Sequence, residues 1–100
     1  MHHSDAMLTE EFARGAVVKS RAGRDRGLLL AVVKADGAYV YVCDGKARRG
    51  RSPKRKNPRH LENIGLRLDE SRLRSDRALR KALAQVRDQI EEENGIVQAR

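Results

Sequence analysis

Apolar positions follow two regimes along the chain: short β-branched runs as far as Leu68, then a three-and-four spacing after Ser75. Ala16-Val17-Val18-Lys19-Ser20, bounded by Gly15, predicts a first strand. The polar segment Arg21 to Gly27 follows, and its Gly23 and Gly27 predict a tight turn in which at least one glycine takes a positive φ. Leu28 to Val33 is an apolar run of strand length, Asp36-Gly37 is a hairpin signal, and Ala38 to Asp44 predicts a third strand ended by Gly45. Arg48 to His60 holds both prolines, one glycine and otherwise only polar or charged residues, so it reads as a basic loop too charged to pack. Leu61 to Leu68 predicts one more strand around Ile64, Leu66 and Leu68.

Leu79, Leu83, Val86 and Ile90 recur at intervals of four, three and four, which places them on one face of a helix. Ser75 is the expected N-cap, with Asp76 beside the positive end of the dipole and paired to Arg80 one turn on. Asn94-Gly95 is the expected stop, and Glu91, Glu92 and Glu93 stand at the unfavourable end, so the last turn is expected to fray. In the second strand Leu28, Leu30 and Val32 oppose Leu29, Ala31 and Val33; in the third, Tyr39 and Tyr41 oppose Val40 and Val42. Apolar residues on both faces require cover on both. One face is assigned to the inside of a small β-barrel and the helix stripe covers part of the other; Tyr39 and Tyr41 are read as barrel or helix-packing residues rather than base platforms.

The expected organisation is an N-terminal extension over 1–13, expected to be flexible. A barrel over 14–68 carrying the basic loop 48–60 follows, then a C-terminal helical segment over 69–95 packing on it and a tail over 96–100. At 100 residues there is room for one core, and with 39% hydrophobic and 36% charged residues that core is small.

Charge changes the picture most. Arg14 to His60 holds 14 Lys/Arg against Asp25, Asp36 and Asp44, a surplus of +11, whereas Leu61 to Arg100 sums to zero and the first 13 residues contribute −3, giving +8 overall. Such concentration is the footprint of a polyanion binder rather than of general solubility. Cys43 is the only cysteine, so no disulfide or zinc cluster forms within the chain. It reads as a packing residue, and a reducing, cytoplasmic location is expected. No apolar run is long enough for a membrane span, and no signal-peptide stretch is evident. No phosphate-binding loop, HExxH or paired CxxC is present. The expectation is a protein that is not an enzyme and carries no metal or cofactor.

Gly15 to Gly27 followed by Leu28 to Val33, with the pattern V-x-S-x-A-G-R-D-x-G, resembles a KOW motif. The resemblance continues through Tyr39-Val40-Tyr41-Val42-Cys43-Asp44-Gly45-Lys46 and the basic loop to Pro58-Arg59-His60-Leu61, about half the chain. It is similar to the small bacterial KOW-domain RNA-binding proteins, and through them to the KOW-bearing large-subunit ribosomal proteins of archaea and eukaryotes. The resemblance implies a mainly β fold, an SH3-like barrel followed here by one C-terminal α-helix, and association with ribosomal RNA.

The candidate RNA-binding residues are Gly23, Arg24, Arg26 and Gly27 in the turn, and Lys46, Arg48, Arg49, Arg51, Lys54, Arg55, Lys56, Arg59 and His60 in and beside the loop. Guanidinium forks match phosphate oxygens, and glycines let backbone approach a sugar-phosphate chain. Asp25, a poor phosphate contact, is expected to orient an arginine or cap the turn. His60 is expected to be partly buried. The loop is expected to be disordered when free and to order when bound. With only Phe12, Tyr39 and Tyr41 as aromatics, structured RNA is the expected ligand rather than a bare single strand. The expected partners are ribosomal RNA or the ribosome, including ribosomal proteins, with no membrane and a monomeric chain. The alternatives are a protein-interaction module docking on a ribosomal or polymerase partner, and a duplex-DNA binder.

Overall fold

The computed structural model describes residues 11–98. Five strands, β1 (Ala16–Ser20), β2 (Leu29–Ala35), β3 (Val40–Cys43), β4 (Lys54–Lys56) and β5 (Leu61–Arg67), form one antiparallel sheet in the order β4-β3-β2-β1-β5. A 3-10 turn, Pro58–His60, joins β4 to β5, and two helices follow, the short α1 (Glu70–Leu73) and the long α2 (Asp76–Gln98). The body is mainly β with one long C-terminal helix, as the patterning predicts. Among the described residues no ladder joins β4 to β5, so the sheet is open where a closed barrel is expected.

The sheet nevertheless curls. Two strands separate β1 from β4, a spacing of about 14 Å in a flat sheet, yet the Lys56 ammonium lies 3.1 Å from the Ser20 hydroxyl. The inner face buries Ala16, Val18, Leu30, Val32, Val40, Val42 and Leu61. Phe12 joins this core at 2% exposure, so the expected flexible extension over 1–13 holds a core residue; residues 1–10 lie outside the described part. The ring needs the apolar end of the curled sheet, a tertiary demand that no local pattern announces.

The outer face buries Val17, Ala31 and Cys43 beneath Leu79, Ala82, Leu83 and Val86 of α2, with Leu29, Val33, Ile64 and Ile90 at the margin. Full burial of such side chains contributes about 1.5–3 kcal/mol each before ordering entropy is counted. The alternation expected for β2 therefore holds, except that Leu28 is left exposed.

Local chemistry moves several boundaries. The Asp36 carboxylate accepts the amides of Ala38 (3.2 Å) and Tyr39 (2.9 Å), so β3 starts at Val40 rather than Ala38. The Ser75 hydroxyl accepts from the Ala78 amide at 3.1 Å, the expected N-cap. Asp76 and Arg80, expected to pair with each other, both turn instead to the segment after β3. Helix α2 runs through Asn94-Gly95 to Gln98, because one glycine lowers helix propensity by about 1 kcal/mol without ending a long helix.

Candidate nucleic-acid interface

Two basic connections leave the same end of the β1-β2-β3 ladder, because the register opposes Lys19 to Leu29 and Ala31 to Cys43. They are the turn 21–28 and the loop 44–53. Each is built differently.

The turn 21–28 is closed by backbone bonds from the Ser20 amide to the Leu28 carbonyl (3.0 Å), Gly27 to Ser20 (2.8 Å) and Arg26 to Gly23 (3.2 Å). Gly23 and Gly27 both take positive φ, 85° and 90°, and neither is crowded where a Cβ would stand. Backbone conformation, rather than close approach within the fold, requires them. Arg24 and Arg26 project outward, exposed. Asp25 turns inward. Its Oδ1 accepts from the Ser20 hydroxyl (2.7 Å) and the Lys56 ammonium (3.1 Å), and its Oδ2 accepts from Lys54 (3.2 Å).

The Asp25 carboxylate, expected to orient an arginine or cap the turn, instead holds two lysines and the Ser20 hydroxyl. Burial alone would raise its pKa, but the bonds from Ser20, Lys56 and Lys54 outweigh burial and lower it from 3.8 to about 2. At neutral pH the carboxylate is fully charged. Lys56 donates also to the Ser20 hydroxyl (3.1 Å) and the Ala22 carbonyl (3.1 Å), so all three of its protons are used.

These bonds correct the expected basic loop over 48–60. Lys54–Lys56 is a strand, pairing Val42 with Lys54, Tyr41 with Arg55 and Val40 with Lys56. Lys54 and Lys56 share the inner face with Val40 and Val42, where their stems cover apolar residues and their ammonium groups meet Asp25. Lys56 is only 7% exposed and is a structural residue, not an exposed cation. Lys54 is partly buried and ion-paired. Arg55, on the opposite face, is exposed and stacks over the Tyr39 ring, 4.5 Å from its centre.

The 3-10 turn begins with Pro58 buried and the Asn57 carboxamide accepting the Arg59 amide at 2.9 Å. The Arg21 amide donates to the His60 carbonyl at 2.8 Å, which brings Arg59 and His60 next to the turn 21–28. Both side chains are exposed, His60 contrary to its expected partial burial, because Leu61 rather than His60 enters the core.

The loop 44–53, which takes in the first part of the basic loop 48–60 expected to be disordered when free, is hydrogen-bonded. Asp44 Oδ1 accepts the amides of Lys46 (2.9 Å) and Arg48 (2.8 Å), and the Asp44 and Gly45 amides both donate to the Arg48 carbonyl. Helix α2 then pins it: Asp76 Oδ1 accepts the Gly50 amide at 2.7 Å, and the Arg80 guanidinium donates to the Gly45 carbonyl at 3.2 Å. A Cβ at Gly45 would strike the Asp76 carbonyl, so glycine permits the close seat on the helix. Lys46, Arg48, Arg49 and Arg51 are all left exposed.

Sorting the thirteen candidates by their surroundings leaves Arg24, Arg26, Lys46, Arg48, Arg49, Arg51, Arg55 and Arg59 exposed and in no ion pair among the described residues. Glu70 holds Arg14 (2.8 Å) and Glu62 holds Arg21 (3.5 Å). Sequence reasoning misses the positioning residues Ser20, Asp76 and Arg80. Tyr39 and Tyr41, expected to pack in the barrel or against the helix, lie on the outer face beyond α2, with Tyr39 exposed. The Tyr-Val alternation announces two faces without saying that α2 stops short of covering the second.

Cys43 is buried, and burial, with Asp76 and Asp44 nearby, pushes its thiol up to about 11. It remains a neutral packing group. No helix among the described residues is long and apolar enough to cross a membrane. The chain matches no protein-family model and no curated protein.

Proposed function

We propose that the protein is a non-catalytic RNA-binding protein of KOW type, its curled sheet standing for an SH3-like barrel, that recognises structured RNA, with ribosomal RNA or the ribosome as the favoured target in the cytoplasm. The observation that carries this reading is the division of labour among the charges. The acid of the basic region that faces inward neutralises Lys54 and Lys56, while Arg24, Arg26, Arg48, Arg49 and Arg51, on the two connections at one end of the sheet, have no acidic partner among the described residues. Guanidinium groups left unpaired and held on hydrogen-bonded loops suit phosphate oxygens. Arg24, Arg26 and Arg59 would contact one stretch of backbone, with His60 beside them, and Lys46, Arg48, Arg49 and Arg51 another.

Neutralising ~5–7 phosphates gives a log–log salt dependence of affinity with a slope of order −4 to −6. Replacing Arg48, Arg49 and Arg51 together by alanine should weaken binding to structured RNA and flatten that slope by about 2–3, while stability stays within about 0.5 kcal/mol. Recovery of no RNA above background after crosslinking in cells would defeat the proposal.

A second reading, a module docking on a ribosomal or polymerase protein, has one observation in its favour. A groove of about 970 Å³ runs between α2, β5 and the two connections, with Leu28 and Leu66 exposed along it. Nuclease treatment separates the two readings: it releases the partner in the first and leaves it bound in the second.

A further inference from the structure

The outer face of the sheet is only partly covered. Helix α2 packs over Val17, Ala31 and Cys43. Beyond it, at the β2-β3 hairpin and the β4 edge, the same face carries Lys34, Tyr39, Tyr41 and Arg55. Tyr41 stands opposite both Lys34 and Arg55 in the ladders. The Arg55 guanidinium lies over the Tyr39 ring, and the Lys34 ammonium lies 5.6 Å from the centre of the Tyr41 ring.

Tyr39 is 39% exposed and Arg55 is exposed. The acid on this patch, Asp36, is already occupied by the amides of Ala38 and Tyr39 and by the Tyr41 hydroxyl at 3.3 Å. Neither Lys34 nor Arg55 forms an ion pair among the described residues. The patch therefore offers two cations and an aromatic-guanidinium stack open to solvent. Nucleobases stack on guanidinium planes as on aromatic rings, and both are present here within 4.5 Å of one another.

We propose that Arg55 and Tyr39 form a stacking subsite for an unpaired nucleobase, with Lys34 beside it to meet a flanking phosphate. This rests on the RNA-binding reading and deepens it: the RNA recognised has a duplex portion and an adjoining unpaired nucleotide. Strand β4 joins the two functions, because its alternation sends Lys54 and Lys56 to the structural contact with Asp25 and Arg55 to the base. Cross-strand cation-ring pairs also stabilise sheets without any ligand, so the test must read stacking itself.

The chain provides the probe. It has no tryptophan, and its two tyrosines both lie in this patch, so tyrosine emission reports the subsite alone. The full chain is titrated with a blunt RNA duplex and with the same duplex extended by a short unpaired adenosine strand. The extended RNA should bind about tenfold more tightly, the increment expected of one stacked base, and should quench tyrosine emission. The blunt duplex should bind without quenching. Tyr39→Ala should abolish the tenfold gain while changing blunt-duplex affinity by less than about twofold, Arg55→Lys should also abolish the gain, and Tyr39→Phe should retain it. Retained blunt-duplex binding certifies that each variant is folded. Binding of both RNAs with unchanged tyrosine emission and no gain from the overhang overturns the subsite and leaves the RNA-binding reading standing. Binding of neither overturns both.

Discussion

The turn 21–28 and the loop 44–53 leave the same end of the sheet and are both rich in cations, yet they are stabilised by opposite means. The turn is fixed from within, by a carboxylate reaching across the curled face to two lysines of β4. The loop is fixed from outside, by backbone bonds to its own Asp44 and to the first turns of α2. At the turn, Asp25 and the two β4 lysines spend their charge on the fold while Arg24 and Arg26 stay free; in the loop, backbone amides and carbonyls do the holding and every cationic side chain is left free. Counting basic residues therefore overstates the recognition surface in one region and measures it well in the other.

The largest expected effect tests the inner arrangement. Asp25→Ala leaves the buried Lys56 ammonium with only the neutral Ser20 hydroxyl and Ala22 carbonyl and takes the partner from the partly exposed Lys54, and breaking a buried pair of this kind costs about 3 kcal/mol. Thermal or urea unfolding should detect it at once. An unchanged melting temperature would mean that the lysines are satisfied without Asp25 and that the contrast between the two connections is false.

A smaller effect comes from acid. Because the folded state holds the Asp25 pKa at about 2, below its ordinary 3.8, the stabilisation is complete above that ordinary value and is lost as the pH falls toward 2. It is worth about 2 kcal/mol. Urea midpoints across that range should decline more steeply for the native chain than for the Asp25→Ala variant. Parallel declines would assign the acid sensitivity to other carboxylates.

The smallest effect tests the outer arrangement. Ser75→Ala removes the N-cap of α2 and costs about 1 kcal/mol. Since Asp76 and Arg80 pin the loop, that variant should also speed amide hydrogen exchange at Gly50 while leaving the Gly27 amide unaffected. Equal acceleration at both would show the two connections to be one cooperative unit.

Elements with their own periodicity were legible in the chain: β1, β2, β3, β5 and the buried stripe of α2 all lie where alternation or three-and-four spacing places them, to within a few residues. β4 was not. Lys-Arg-Lys has no apolar alternation to read, and it is a strand only because β3 offers a partner and Asp25 offers a counter-charge, both distant in sequence. Phe12 escaped for a similar reason, since a lone aromatic ahead of Gly15 carries no period. Of the candidate interface, the exposed arginines were legible from composition, whereas the buried place of Lys56 and the outward tyrosines depend on curvature and on where α2 ends. Composition counts cations but cannot tell which of them the folded chain neutralises.

Strand β4 has a further consequence for how copies of the chain behave beside one another. A short, unpaired outer strand is an invitation to edge-to-edge assembly. Here that strand carries three consecutive cations and one carboxylate beside them: Lys54 and Lys56 turn inward to share Asp25, and Arg55 stays exposed, so the margin keeps a positive surplus. Two such margins laid side by side would repel, so the residues that serve structure on one side and stacking on the other also discourage the sheet from growing into fibres.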